Sequence, residues 1–143
     1  MSYVSLHNHT CFSIAKALPE PKELLQKAKD LGQTAIAITD NTALIAGWDA
    51  LKQSKKIGIK LIIGEEFNFV DDVNVEQKLR GLILIAKNHV GYKNLLMLSK
   101  LGNDHLLIGK RRNYPRIDWK ILEAHSDGLI CLTGSAGGIL GQL

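Results

Sequence analysis

Thr34-Ala35-Ile36-Ala37-Ile38-Thr39-Asp40-Asn41 (TAIAITDN) shows no polar alternation before it stops at Asp40. A strand with one wet face alternates with a period of two, whereas a strand covered on both faces does not. The stretch therefore predicts a strand inside a parallel sheet with helices packed over it. Its flanks agree. Before it, Lys22 to Leu31 follows Leu18-Pro19-Glu20-Pro21 with leucines at helical spacing, and Gly32 stands where a helix stops. After it, a second helix is expected from about Leu44 to Ile57, with Trp48 and Leu51 turned inward and Gly58 ending it.

The alternation of strands and helices continues. Lys60-Leu61-Ile62-Ile63 predicts a short buried strand, Gly64-Glu65-Glu66 follows it at once, and Phe67 to Val70 alternates as an extended segment would. Asp71 to Asn74 reads as a solvated turn. Gly81-Leu82-Ile83-Leu84-Ile85-Ala86 is the most apolar run of the chain and predicts a central strand, with a helix from Gly91 to Leu101 behind it. The pattern lapses from Gly102 to Arg116. Asp118 is placed to cap a short helix through Ala124. Gly128 to Thr133 predicts a further strand with Cys131 in the core, and the glycine-rich turn from Gly134 leads into an apolar segment expected to continue in a longer chain. The fold class this defines is α/β, a sheet or barrel of about five βα units formed by residues 1–143 as one domain.

With 45% apolar and 22% charged residues among 143, the composition suits one globular domain with its own core. No run approaches the roughly 20 apolar residues that span a bilayer, and the N-terminus lacks a signal-peptide pattern. A cytoplasmic setting and no membrane partner are expected. Cys11 and Cys131 are too few for a disulfide framework; Cys11, beside the histidines, is a conceivable soft metal ligand. The formal charge of +4 permits contact with phosphates without demanding it. Lys110-Arg111-Arg112, with Arg116, is either a solvated loop or a DNA contact.

In βα folds the loops that follow strands gather at one face, where the chemistry sits. The residues at such loops are His7 and His9, Asp40 and Asn41, Glu65 and Glu66, Lys87 and Asn88, and Thr133 to Ser135. Singly, each would serve as well to cap a helix or meet solvent. The most pointed signal is His7-Asn8-His9, closing the strand-like Tyr3-Val4-Ser5-Leu6. In an extended segment residues i and i+2 point the same way, so both imidazoles can face one ion, with a carboxylate supplied by another loop.

Five stretches carry a family signature: LHNHTCFS (Leu6–Ser13), AIAITDN (Ala35–Asn41), IKLIIGEEF (Ile59–Phe67), LILIAKNHVGYKNLL (Leu82–Leu96) and GLICLTGSAGG (Gly128–Gly138). Together they resemble the PHP domain, and more narrowly the one that opens the alpha subunit of bacterial DNA polymerase III. The resemblance implies a distorted barrel of seven βα units, here incomplete. It also implies a rim that in complete members holds up to three divalent metals for phosphoester hydrolysis. In some polymerases such domains act as 3′–5′ proofreading exonucleases; in others they are catalytically silent supports.

Carried over residue by residue, His7, His9 and Glu66 match family ligands. An expected aspartate falls at Lys16, expected histidines at Asn41 and Gly81, a cysteine at Ser135, and the last ligand pair beyond Leu143. The expectation is a degenerate site with no catalytic residues of its own, holding one zinc or manganese ion on His7, His9 and Glu66 if any. The implied partners are the rest of a polymerase chain, DNA through Lys110, Arg111 and Arg112, and a second copy docked on the open barrel edge. The alternative is an active metal-dependent phosphoesterase.

Overall fold

The computed structural model describes residues 3–109, 113–134 and 136–142. In chain order these form α1 (Pro21–Asp30), β1 (Ala35–Asn41), α2 (Gly47–Ile57), β2 (Lys60–Phe69), β3 (Arg80–Ala86), α3 (His89–Asp104), β4 (Leu107–Ile108), β5 (Asn113–Tyr114), β6 (Arg116–Ile117), α4 (Trp119–Ala124) and β7 (Leu129–Leu132), followed by a 3₁₀ turn at Leu140–Gln142. The sheet runs β1-β2-β3-β7, with β6 beside the end of β2, and a segment around Ser5 bridges Ile36 in parallel. It is an α/β architecture of the expected class, a sheet with helices on its outer face, curved as an incomplete barrel.

β1 is buried along its first six residues, as its unbroken apolar run requires. Leu25 and Ala28 of α1 pack with Ile36 and Ile38 of β1 and Ala50 of α2. Farther along the sheet, Phe67, Phe69, Leu82 and Leu84 pack with Leu95 and Leu98 of α3 and with Ile117. Gly58 ends α2 in the left-handed region at φ 73°, where a side chain would be strained. Asp118 caps α4 by accepting from the Ile121 amide at 3.0 Å, the role its sequence position predicts.

The structure differs from the sequence expectation in four places. β2 does not stop at Ile63; it runs on through Gly64, Glu65 and Glu66 to Phe69, paired with β1 on one side and β3 on the other. β3 is antiparallel to both β2 and β7, because residues 70–79 contain no helix to carry the chain back across the sheet, and a connection of that kind reverses direction. Trp48 is 68% exposed rather than inward-facing, and the buried residues of α2 are Ala50 and Ser54. Cys131 is exposed, not core, although its strand pairs with the buried β3.

The reversal of β3 matters for the site. Its C-terminal residues Lys87 and Asn88 lie at the opposite sheet end from Asn41 and Glu66, so they leave the list of rim residues, and its first residues take their place. At that other end a cleft of about 560 Å³ opens on Leu6, Ile62, Ile85 and Ile130, of which Leu6 and Ile130 are 40% and 46% exposed.

Candidate metal centre

The N-terminal segment reaches the rim along the free edge of β1. The Ala37 amide donates to the Ser5 carbonyl at 2.8 Å, and the Thr39 amide to the Asn8 carbonyl at 2.9 Å. Three residues on one side thus span two on the other, one more than a regular ladder allows, and the bulge aims the histidines at the rim. Asn8 locks it: its side-chain amide donates to the Ala37 carbonyl at 2.9 Å, and its main-chain amide to Thr39 Oγ1 at 3.1 Å.

Three of the residues singled out from sequence come together. His7 Nε2 and His9 Nε2 are 3.2 Å apart. Glu66 Oε2 lies 3.1 Å from His9 Nε2 and 3.8 Å from His7 Nε2. Glu66 arrives from the middle of β2, opposite Asn41 in the register, on the inner face of the sheet. Glu65, its neighbour, points the other way and is 0% exposed in the helix-covered layer, not on a solvated rim. Burial pushes its carboxyl up to about 8, with Asp40 adding to the rise and Ser99 opposing it. Neither Glu65 oxygen has a hydrogen-bond partner of normal geometry among the described residues, so Ser99 acts only as a nearby dipole.

Asp40 has a structural task that its sequence position does not announce. It is buried and accepts from the Thr10 amide (2.7 Å), Thr10 Oγ1 (2.7 Å) and Ser13 Oγ (2.6 Å), tying the histidine loop to β1. Ser13 Oγ also accepts from the Asn41 amide at 2.9 Å and lies 3.0 Å from His9 Nδ1. The only hydroxyl proton of Ser13 goes to Asp40, so His9 Nδ1 must be the donor in the third contact. That assigns the His9 proton to Nδ1 and turns Nε2 toward Glu66 and His7, as the outer partner of a metal-bound histidine does.

Ring nitrogens and a carboxylate oxygen this close need a positive charge among them, either an added ring proton or a cation. For a tetrahedral ion with bonds of about 2.0–2.1 Å, neighbouring ligand atoms sit about 3.3 Å apart. The 3.2 and 3.1 Å separations lie close to that spacing and the 3.8 Å one is wider; two imidazoles and a carboxylate gathered at one point are a donor set that suits a divalent ion. Desolvation lowers the pKa of His7, outweighing the pull of Glu66, and keeps its imidazole neutral with a lone pair to offer. Burial alone would raise Glu66, but its close contact with His9 and the ammonium of Lys16 prevail and hold it down at about 2.

Three other positions also converge on Glu66. Lys16 Nζ is 3.1 Å from Oε2. Asn41 Nδ2 donates to the Glu66 carbonyl at 3.3 Å. A Cβ on Gly81, at the start of β3, would stand 2.9 Å from Oε1. Lys16 and Gly81 supply no metal-binding group, and Asn41 offers a neutral amide in place of an imidazole. Beside His7, a cleft of about 450 Å³ is lined by Ile83, Cys131, Leu132, Thr133 and Gly134, which places the loop after β7 at the same rim. Ser135 and the basic cluster Lys110 to Arg112 fall outside the described residues. Arg116, grouped with that cluster by sequence, is buried instead, donating to the carbonyls of His105 (3.3 Å), Val75 (2.9 Å) and Val73 (2.7 Å).

Fold and donors together define an α/β barrel-type protein that gathers imidazole and carboxylate groups at one rim. Residues 5–143 match the family described as PHP domain, and the chain belongs to that family. It is 36% identical over 149 residues to the DNA polymerase III subunit alpha of Aquifex aeolicus, covering 96% of this chain and 12% of that one. The same subunit of Campylobacter jejuni is 37% identical over 134 residues, covering 90% and 11%. The chain thus spans about an eighth of the length of these curated relatives. Among solved structures, a Bifidobacterium adolescentis protein described as a candidate metal-dependent phosphoesterase superposes with a TM-score of 0.54 at 24% identity, over 71% of this chain and 34% of that one, which shows a shared fold.

Proposed function

We propose that this chain serves bacterial-type DNA replication as the PHP portion of a DNA polymerase III alpha assembly, working in the cytoplasm as a structural and interaction domain with a degenerate metal site. One observation carries the reading: Lys16, Asn41 and Gly81, where the family resemblance calls for ligands, all meet at Glu66 and bring a cation, an amide and no side chain. Cleaving a phosphodiester with metals takes an activated water together with a charge clamp on the leaving oxygen, usually from two ions. His7, His9 and Glu66 can hold one zinc or manganese ion at most, and that ion would supply Lewis acidity to bound water. The chain's own residues here orient it, through Asp40, Ser13 and His9. The partner is the remainder of the polymerase, and the apolar cleft around Leu6 and Ile130 supports contact with it.

The test is incubation of the purified chain with manganese or zinc and a labelled primer carrying a mismatched 3′ end. No shortening is expected. Metal-dependent release of 3′ nucleotides, abolished by His9→Ala, would replace this reading with that of an active proofreading phosphoesterase.

A further inference from the structure

We infer that Lys16 is a tethered cation that shares Glu66 with the metal position, so that its ammonium holds the rim together when no ion is bound and weakens the binding of one. The inference rests on the one-ion reading of His7, His9 and Glu66. Lys16 Nζ sits 3.1 Å from Glu66 Oε2, the same oxygen that His9 Nε2 approaches to 3.1 Å and His7 Nε2 to 3.8 Å. One carboxylate charge is therefore already neutralised from within the chain. A divalent ion entering beside it must either accept a like charge a few ångströms away or push the ammonium off.

The backbone around Lys16 is built to present it. The Lys16 amide donates to the Ser13 carbonyl at 2.9 Å, and the Ser13 amide to the Thr10 carbonyl at 2.9 Å, closing a tight turn. Within it Ala15 takes φ 65°, a conformation that side chains other than glycine rarely adopt. Ser13, the pivot of that turn, is the residue that Asp40 holds and that fixes His9, so the lysine and the histidine are set by one anchor. The lysine side chain is still 34% exposed, and its flexible stem can carry the ammonium into solvent when an ion arrives.

The experiment titrates zinc by calorimetry into the chelator-stripped full chain as wild type, Lys16→Ala, Lys16→Arg and Glu66→Ala, and records melting of each in EDTA. Lys16→Ala is expected to bind zinc about 10-fold to 100-fold more tightly than wild type, the range a group acting through a metal ligand commands. Its metal-free form should melt about 2–4 °C lower, and Lys16→Arg should restore both properties. Equal zinc affinity of wild type and Lys16→Ala would overturn the inference while leaving the one-ion site standing. If neither binds zinc better than Glu66→Ala, the one-ion reading falls. The EDTA melts then decide the lysine: an unchanged melt overturns its role, and a loss rescued by arginine upholds it.

Discussion

Glu65→Gln tests whether the outer face of β2 carries a buried acid that the fold tolerates only when neutral. Glu65 lies fully buried among side chains of β2 and α3, with Asp40 as its neighbour in the β1–β2 register and no hydrogen-bond partner for its oxygens among the described residues. Desolvation is the chief cause that lifts its pKa from 4.5 to about 8, and Asp40 adds to it. Between those values the unfolded chain releases the proton and the folded chain keeps it. Stability is therefore complete below 4.5 and declines as the pH rises, until the folded carboxyl ionises near 8. At about 1.4 kcal/mol per pH unit the loss reaches about 4 kcal/mol at pH 8, a large share of a domain's usual ~5–15 kcal/mol. Glutamine reproduces the neutral side chain without the titration. Urea unfolding followed by circular dichroism should show the two proteins equal near pH 4.5 and the variant increasingly more stable toward pH 8. Parallel pH profiles, or a variant weaker than wild type at pH 8, would refute the assignment of a neutral Glu65.

Ser13→Ala removes the acceptor that fixes His9 Nδ1–H and one of the three hydrogen bonds by which Asp40 holds the histidine loop; zinc affinity measured by competition with a chelating dye should fall about 10-fold or more, and unchanged affinity would show that the His9 tautomer is set elsewhere. Gly91→Ala would place a Cβ 1.9 Å from the Gly128 carbonyl oxygen, which joins the start of α3 to the entry of β7. Backbone must then move, and thermal unfolding should show a loss of about 2 kcal/mol or more. Arg116→Met strands the carbonyls of Val73, Val75 and His105; the cost should be about 3 kcal/mol or more, with the salt dependence of any DNA binding left unchanged because this guanidinium does not reach the surface.

How much of this was legible in the sequence depended on whether the deciding physics was local. The buried run at Ala35 to Thr39, the cap at Asp118 and the i, i+2 pairing of His7 with His9 are short-range facts, and each appears where the residues put it. The direction of β3 is not such a fact. It follows from residues 70–79 failing to form a crossover helix, and it decides which end of the sheet Lys87 and Gly81 occupy. The buried role of Arg116 was hidden for a similar reason, since its partners lie 11 to 43 residues away and a basic residue near a basic cluster looks like a surface one.

Glu65 and Glu66 show the same limit at the scale of one residue. Taken as a loop after a strand that ends at Ile63, both acids are candidates for the site. Once β2 continues through them, the alternation of a strand sends one into the apolar layer and the other to the histidines. Their pKa values then part in opposite directions, about 8 for Glu65 and about 2 for Glu66, because one is desolvated without a counter-charge and the other is met by His9 and Lys16. A shift of register by one residue would exchange those environments, burying the acid that faces Lys16 and exposing the one that packs beside Phe67. The pairing of Asp40 with Glu65 and Asn41 with Glu66 is therefore what separates a buried, neutral acid from one that faces the histidines in a tandem of identical residues, and the pH profile of Glu65→Gln tests the first of those environments.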